Sequence, residues 1–295
     1  MDFKEFDPNI GVEGYCRELR SLLFPNSAPD TVNATSLNLG SRTYPKGSVF
    51  SRVRRLSEED AKVFQETRIA VKEFLPPRRF DVEVSAGRFN KKGERKLYLA
   101  DHPYVAMREC RIKPGEYFLL SQFSLDVETT FVEAENTGGE FMEALISILR
   151  SEDIRFHEVT AIVADDYLNY DAMHGIAYNS VRVPVGHEDP VFGKVTSTTN
   201  LVMKEQYVPS AQLLAGWLFK CDEDGHPSHV SLFVPCSQKK KKKLTTIHHR
   251  ANKRLYLEKN QKLLRSIQAI AKKAERSIPE IDRADLMVGK FLSNQ

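Results

Sequence analysis

Residues 87–110 read GRFNKKGERKLYLADHPYVAMREC, and three kinds of local structure follow one another within them. Gly87-Arg88-Phe89-Asn90 sets a glycine and an asparagine around an arginine, the composition of a turn. Lys96 to Ala100 is a short apolar run suited to a strand. Pro103 to Arg111 suits a helix, with proline near the first turn, where its missing N–H costs nothing. A turn, a strand and a helix within 24 residues predict a chain in which strands and helices alternate closely.

The flanks continue the pattern. Upstream, Ser57 followed by Glu58, Glu59 and Asp60 is a helix N-cap signature, continued by Ala61, Phe64, Ile69 and Val71 and stopped by Pro76-Pro77. Phe80 to Val84 and Glu116 to Leu125 are strand candidates. Downstream, apolar residues at 141, 142, 145, 146, 148 and 149 predict a buried helix over Phe141 to Leu149, and Val159 to Tyr167 predicts another. Gly175 to Val183, Asn200 to Val208, Gln212 to Phe219 and Val230 to Val234 are strand candidates. No repeat period is present, and the fold class expected is mixed α/β or α+β.

The 295 residues, 41% of them hydrophobic, are enough to bury roughly 75% of the unfolded surface without disulfides or metal. Residues 1–45 carry one short helical stretch, around Tyr15 to Leu23, then Pro25, Pro29 and a Ser/Thr/Asn-rich segment, and they read as an arm. The overall charge of +3 conceals a division. Ser237 to Arg276 holds 14 Lys or Arg against Glu258 and Glu275, a local +12, which leaves 3 − 12 = −9 elsewhere. In that segment Lys239 to Lys243 precede a helical pattern with Leu263, Ile267, Ile270 and Ala274 on one face, an appendage to the domain. It suits nucleic acid, an anionic membrane or an acidic partner, or else it packs back on the acidic remainder, the reading favoured here. Cys16, Cys110, Cys221 and Cys236 are too scattered for a disulfide scaffold, and the N-terminus has neither the charge nor the apolar run of a signal peptide. No apolar run approaches a bilayer span, so a soluble cytoplasmic protein is expected.

Phosphate-loop, Rossmann and G-x-S-x-G signatures are absent from the sequence. Cys221, His226, His229 and Cys236 lie close together, but their spacing fits no zinc pattern, and Asp222-Glu223-Asp224-Gly225 reads as a turn between two strands. What stands out is a series of short clusters: Phe50-Ser51-Arg52-Val53, Gly87-Arg88-Phe89-Asn90, Leu97-Tyr98-Leu99-Ala100, Ala106-Met107-Arg108-Glu109, and His174-Gly175-Ile176-Ala177-Tyr178-Asn179-Ser180. In order and spacing they resemble the RES domain, named for an Arg, a Glu and a Ser. The resemblance covers roughly residues 47–235, with Phe89 in place of the usual Trp and Asn179 in place of a common Pro.

The resemblance implies an α+β, mixed-sheet fold similar to ADP-ribosyltransferase toxins, here with an N-terminal arm (1–45), a catalytic domain (46–236) and a basic, helical extension (237–295). It also implies NAD as substrate, cleaved at the nicotinamide N-glycosidic bond by a glycohydrolase or phosphorylase, or its ADP-ribose transferred to a protein, in a toxin paired with an antitoxin. Glu109 is then the carboxylate that stabilises the ribosyl cation, Arg88 and Arg52 grip the diphosphate, Tyr98 stacks on nicotinamide or holds its ribose, and Ser180 contacts ribose or phosphate. The long interval from Arg52 to Gly87 keeps Arg54 and Arg55 open as substitutes for Arg52. Glu133-x-Glu135 is similar to the paired acids of arginine-specific ADP-ribosyltransferases, though acids on the wet face of a strand account for it equally well. A RES fold that binds without catalysing, through its basic extension, is the competing expectation, and self-association is left open.

Overall fold

The computed structural model describes residues 3–28, 30–77, 84, 86–134, 139–236, 243–275 and 282–292, the last segment by its backbone alone. The expected strand at residues 80–83, Glu135 and Lys239 to Lys242 lie outside the described residues.

In chain order the elements are α1 (Gly11–Leu23), β1 (Thr31–Tyr44), β2 (Val49–Leu56), α2 (Glu58–Glu66), β3 (Lys96–Ala100), α3 (Pro103–Glu109), β4 (Tyr117–Leu125), β5 (Thr129–Ala134), α4 (Glu140–Arg150), α5 (Phe156–Tyr167) and β6 (Gly175–Asn179). A two-residue ribbon, β7 (Glu188–Asp189) with β8 (Gly193–Lys194), precedes β9 (Thr199–Lys204), β10 (Ala211–Cys221), β11 (Pro227–Pro235), β12 (Leu244–His248), α6 (Lys253–Glu275) and β13 (Asp282–Leu292). Eleven strands form one sheet in the order β12-β11-β10-β4-β2-β3-β9-β6-β5-β1-β13. β5 and β6 run parallel and the other pairs antiparallel, so the mixed α+β architecture expected from the sequence is present.

Local chemistry accounts for the element boundaries. Ser57 accepts the Asp60 N–H and starts α2, and Pro103 sits in the first turn of α3. α2 stops at Glu66, and a separate 3-10 turn at Val71–Phe74 carries the buried Phe74. The strand expected to reach Val183 ends at Asn179, and the one expected to reach Val208 gives way after Lys204 to a 3-10 turn containing Pro209. Asp222 to Gly225 form the turn joining β10 to β11.

The sheet has apolar layers on both faces. One face packs Phe50, Leu97, Leu99, Phe123, Phe131 and Leu201 with Phe64 and Phe74. The opposite face carries two separate layers: α1, α4 and α5 over β5, β6 and β9, and α3 with α6 over β2, β4 and β10. At the boundary between them the sheet itself is weakly joined. β2 pairs with β4 over its whole length and β3 with β9 over its whole length, but β2 and β3 share the single pair Ser51↔Ala100 and then diverge.

One expectation is corrected and another is borne out for its apolar stripe. Residues 1–45 are no arm: Tyr15, Leu19 and Leu23 of α1 are buried against α4 and α5, and β1 lies within the sheet between β5 and β13. The polar composition of β1 concealed it, because backbone ladders on both sides satisfy a strand whatever its side chains, and only Leu37, Leu39 and Tyr44 need be buried. The described part of the basic extension packs on the domain, as the favoured reading has it, and is more than an appendage. Tyr256, Ile267 and Ala274 of α6 are buried, Trp217 donates to Asn260 Oδ1 (2.7 Å), and β12 and β13 add strands to opposite edges of the sheet. Ile270, expected on the buried stripe, is 36% exposed, and Tyr256, with its hydroxyl 2.8 Å from His229 Nδ1, is the real anchor.

Candidate active site

Where β2 and β3 part, a cavity of about 530 Å³ opens, within the roughly 300–1,000 Å³ usual for small-molecule sites. Its wall draws on Val53 of β2, Tyr98 of β3, Ala106 and Glu109 of α3, and Tyr178 of β6, and so it spans the two apolar layers of that face.

Glu109 is the last residue of α3 and points across the cavity to the strand ends. Its Oε1 accepts from Ser180 Oγ at 2.7 Å and from Asn200 Nδ2 at 3.4 Å. Its Oε2 faces Arg88 Nη1 at 3.7 Å and Arg182 Nε at 3.6 Å. One oxygen is therefore held by neutral donors, while the other shares the positive charge of two guanidiniums without a hydrogen bond to either.

The turn that carries Arg88 is tied to Tyr98. The Tyr98 hydroxyl accepts the Phe89 N–H (3.0 Å) and donates to Asn90 Oδ1 (2.8 Å), and the Gly87 and Asn90 backbones bond to each other. A Cβ at Gly87 would collide with Asn90 Oδ1 and approach the Tyr98 hydroxyl to 3.2 Å, so a side chain there displaces Asn90 from its bond to Tyr98. Burial raises the Tyr98 hydroxyl well above the ordinary tyrosine range, and at neutral pH it acts as a fixed hydrogen-bonding group. Tyr98 thus positions Arg88, and the aromatic ring beside it on the cavity wall is Tyr178, stacked obliquely on Phe89 at 5.0 Å.

Ser180 follows β6, anchored by its N–H to Thr198 O (2.8 Å), and its hydroxyl is spent on Glu109 and on the Arg182 N–H (3.2 Å). It holds the carboxylate, in addition to which the sequence reading gave it a ribose or phosphate contact. Arg52 contributes to the cavity wall, yet strand alternation turns its side chain to the face opposite Val53, where Nη1 donates to Phe74 O at 3.0 Å. Burial and the neighbouring Arg54 pull its guanidinium down to about 10. Arg54 stacks over the Phe64 ring, whereas Arg55 shares the Val53 face and lines the cavity.

Sequence reasoning missed Arg182, Asn200 and His157. Arg182 is 11% exposed, with Nη1 on Glu152 Oε1 (2.8 Å), while its Nε and Nη2 are buried without a hydrogen-bond partner among the described residues. Buried donors left unpaired cost roughly 1–3 kcal/mol each, and here the Nε is compensated only by the charge of Glu109 Oε2 at 3.6 Å. The signal available was its place two residues after Ser180. His157 enters from the first turn of α5, and burial together with Arg88, Arg111 and Arg182 pulls its imidazole down to about 4, so it is neutral at pH 7. Cys110, the next residue after Glu109, donates to Val53 O (3.1 Å), and burial pushes its thiol up to about 11, which leaves it unreactive near neutrality. Glu133, read as an acid on a wet strand face, is 1% exposed and paired with Arg42 Nη2 at 2.6 Å, away from the cavity.

The family model of the RES domain matches residues 66–211. Arg88, Tyr98, Glu109 and Ser180 fall inside the match, and Arg52 and α6 fall outside it. No curated protein and no solved structure shows a significant match to the chain.

Proposed function

The chain carries a RES domain, and from that premise we propose that it cleaves the N-glycosidic bond between nicotinamide and ribose in NAD. The observation that carries the reading is the Glu109 carboxylate, aligned by Ser180 and Asn200 at one oxygen and set between Arg88 and Arg182 in a cavity of dinucleotide scale. As nicotinamide departs, positive charge develops on the ribose, and a carboxylate that faces it stabilises the transition state more than the ground state. At about 4 Å and an effective dielectric near 20, a full charge pair is worth roughly 4 kcal/mol, or about a thousandfold in rate.

The remaining groups divide the work. Arg88 and Arg182 bind the diphosphate through planar, permanently charged donors, and binding draws the unpaired Nε and Nη2 of Arg182 into hydrogen bonds. Tyr178 offers its ring to the nicotinamide or its ribose. Ser180 and Tyr98 act through Glu109 and Arg88, and Arg52 supports the wall from the opposite layer. The acceptor is water, phosphate or a protein side chain, and the product distinguishes them: ADP-ribose, its 1″-phosphate, or a modified protein.

The test is nicotinamide release from NAD by the purified chain, with and without phosphate. Wild type should consume NAD, Glu109→Gln should slow it about a thousandfold with the fold intact, and Arg88→Ala should raise KM. A folded wild type that releases no nicotinamide under either condition sinks the proposal and leaves a RES-fold binding module. A RES domain is consistent with an NAD-related, toxin-like role. The toxin reading, with a neutralising partner protein, predicts that expressed wild type depletes cellular NAD and arrests growth while Glu109→Gln does neither.

A further inference from the structure

Three cations on the cavity wall take no part in holding Glu109. Arg55 comes from β2, and Arg111 and Lys113 from the loop after α3. All three side chains are exposed, whereas Glu109, Arg88 and Arg182 are 15%, 11% and 11% exposed, so the three form the rim and the others the interior. Glu116 ties two of them together: its Oε2 accepts the Lys113 N–H at 2.9 Å and its Oε1 lies 3.5 Å from Arg55 Nη1. Arg111 Nη2 donates to Glu152 O at 2.9 Å, while the Lys113 ammonium has no partner among the described residues.

Arg111 has a φ of 51°, in the left-handed region. It follows the C-cap Cys110, the position at which helices ordinarily place glycine. A side chain kept there against that preference carries strain, and strain of this kind gathers at functional sites. Charge points the same way. The wall sets the charged ends of Arg55, Arg88, Arg111, Lys113 and Arg182 against Glu109, with Glu116 and Glu152 paired to Arg55 and Arg182 and the Arg52 guanidinium turned away to Phe74 O. His157 is pulled down first by burial and then by Arg88, Arg111 and Arg182, with Asp153 opposing them, in keeping with a cavity of positive character. NAD brings two negative charges in its diphosphate and loses one to its own pyridinium, too few to balance the wall.

We propose that Arg55, Arg111 and Lys113 form a second phosphate subsite at the cavity rim, for a dianionic phosphate that is either the 2′-phosphate of a phosphorylated nicotinamide dinucleotide or free phosphate. The inference rests on the NAD-cleaving reading: with the nicotinamide ribose inside at Glu109, the adenosine end of a dinucleotide extends to the rim.

Binding of NAD, NADP and inorganic phosphate to full-length Glu109→Gln, measured by calorimetry, tests it. NADP should bind about tenfold to hundredfold tighter than NAD, the range of one or two charged hydrogen bonds. Adding Arg111→Gly or Lys113→Ala should lower that ratio about tenfold; Arg111→Gly relieves the left-handed strain, and Lys113→Ala, which removes an ammonium that holds no other group among the described residues, with an unchanged Tm separates loss of the subsite from loss of the fold. Phosphate that binds alone, competes with NADP and is lost in Arg111→Gly assigns the subsite to free phosphate as well. Equal affinities for the two dinucleotides with no phosphate binding, or a ratio unmoved by both substitutions, overturn the subsite. Nicotinamide release by wild type is scored separately: a clear NADP preference without turnover leaves the subsite standing and removes the cleavage reading, turnover with a flat ratio does the reverse, and failure of both dinucleotides to bind removes both.

Discussion

Ser180 and Gly87 act on the candidate site without being its reacting groups. Ser180 holds Glu109 Oε1 at 2.7 Å, so Ser180→Ala leaves the carboxylate in place but loosely aligned. The expected result is a fall in kcat for nicotinamide release of about ten- to hundredfold with KM little changed, the split of an interaction that matters mainly in the transition state. An equal rise in KM would instead mark Ser180 as a direct substrate contact. Gly87→Ala drives a methyl into Asn90 Oδ1 and should break the Tyr98 network. A loss of about 1–3 kcal/mol in a urea titration, with weaker dinucleotide binding through the displaced Arg88, checks that role.

At the scale of elements, the basic helix is anchored by one aromatic residue. Tyr256 is fully buried beneath α6 and bonded to His229. Tyr256→Ala should cost about 3–5 kcal/mol by denaturation and detach the helix from Trp217, visible as a red shift of that single tryptophan's emission. The acidic remainder does not absorb the helix's charge: none of the ion pairs among the described residues involves α6, and Leu257 and Leu264 are 46% and 39% exposed on it. The expectation that α6 packs back on the domain holds for its apolar stripe and fails for its cations.

For the whole molecule, pH reports on the charge within the cavity. His157 has a folded-state value of about 4 against an ordinary 6.5. Below pH 6.5 the unfolded chain takes up a proton that the folded chain refuses, so stability falls as pH drops from 6.5 to 4 and this contribution stops changing below 4. His157→Gln should flatten the decline in Tm across that window relative to wild type while leaving the two curves parallel above pH 7. Curves that stay parallel throughout would mean that the imidazole titrates normally.

The sequence alone determined the elements whose side chains must fill a core. The Ser57 cap, the Lys96–Ala100 strand, the helix from Pro103 and the apolar period of α4 were all legible, because periodicity and capping are local properties. It also singled out Arg88, Tyr98, Glu109 and Ser180, which the structure brings to one cavity and its supports. Their division of labour was decided only by the tertiary structure. Alternation on β2 turns Arg52 toward Phe74, the hydroxyls of Tyr98 and Ser180 are taken by protein partners, and Arg182 and Asn200 reach Glu109 from 73 and 91 residues away in sequence. The places of α1, β1 and β13 in the body of the fold were equally hidden, since a strand secured by backbone ladders on both sides need not announce itself in side-chain pattern.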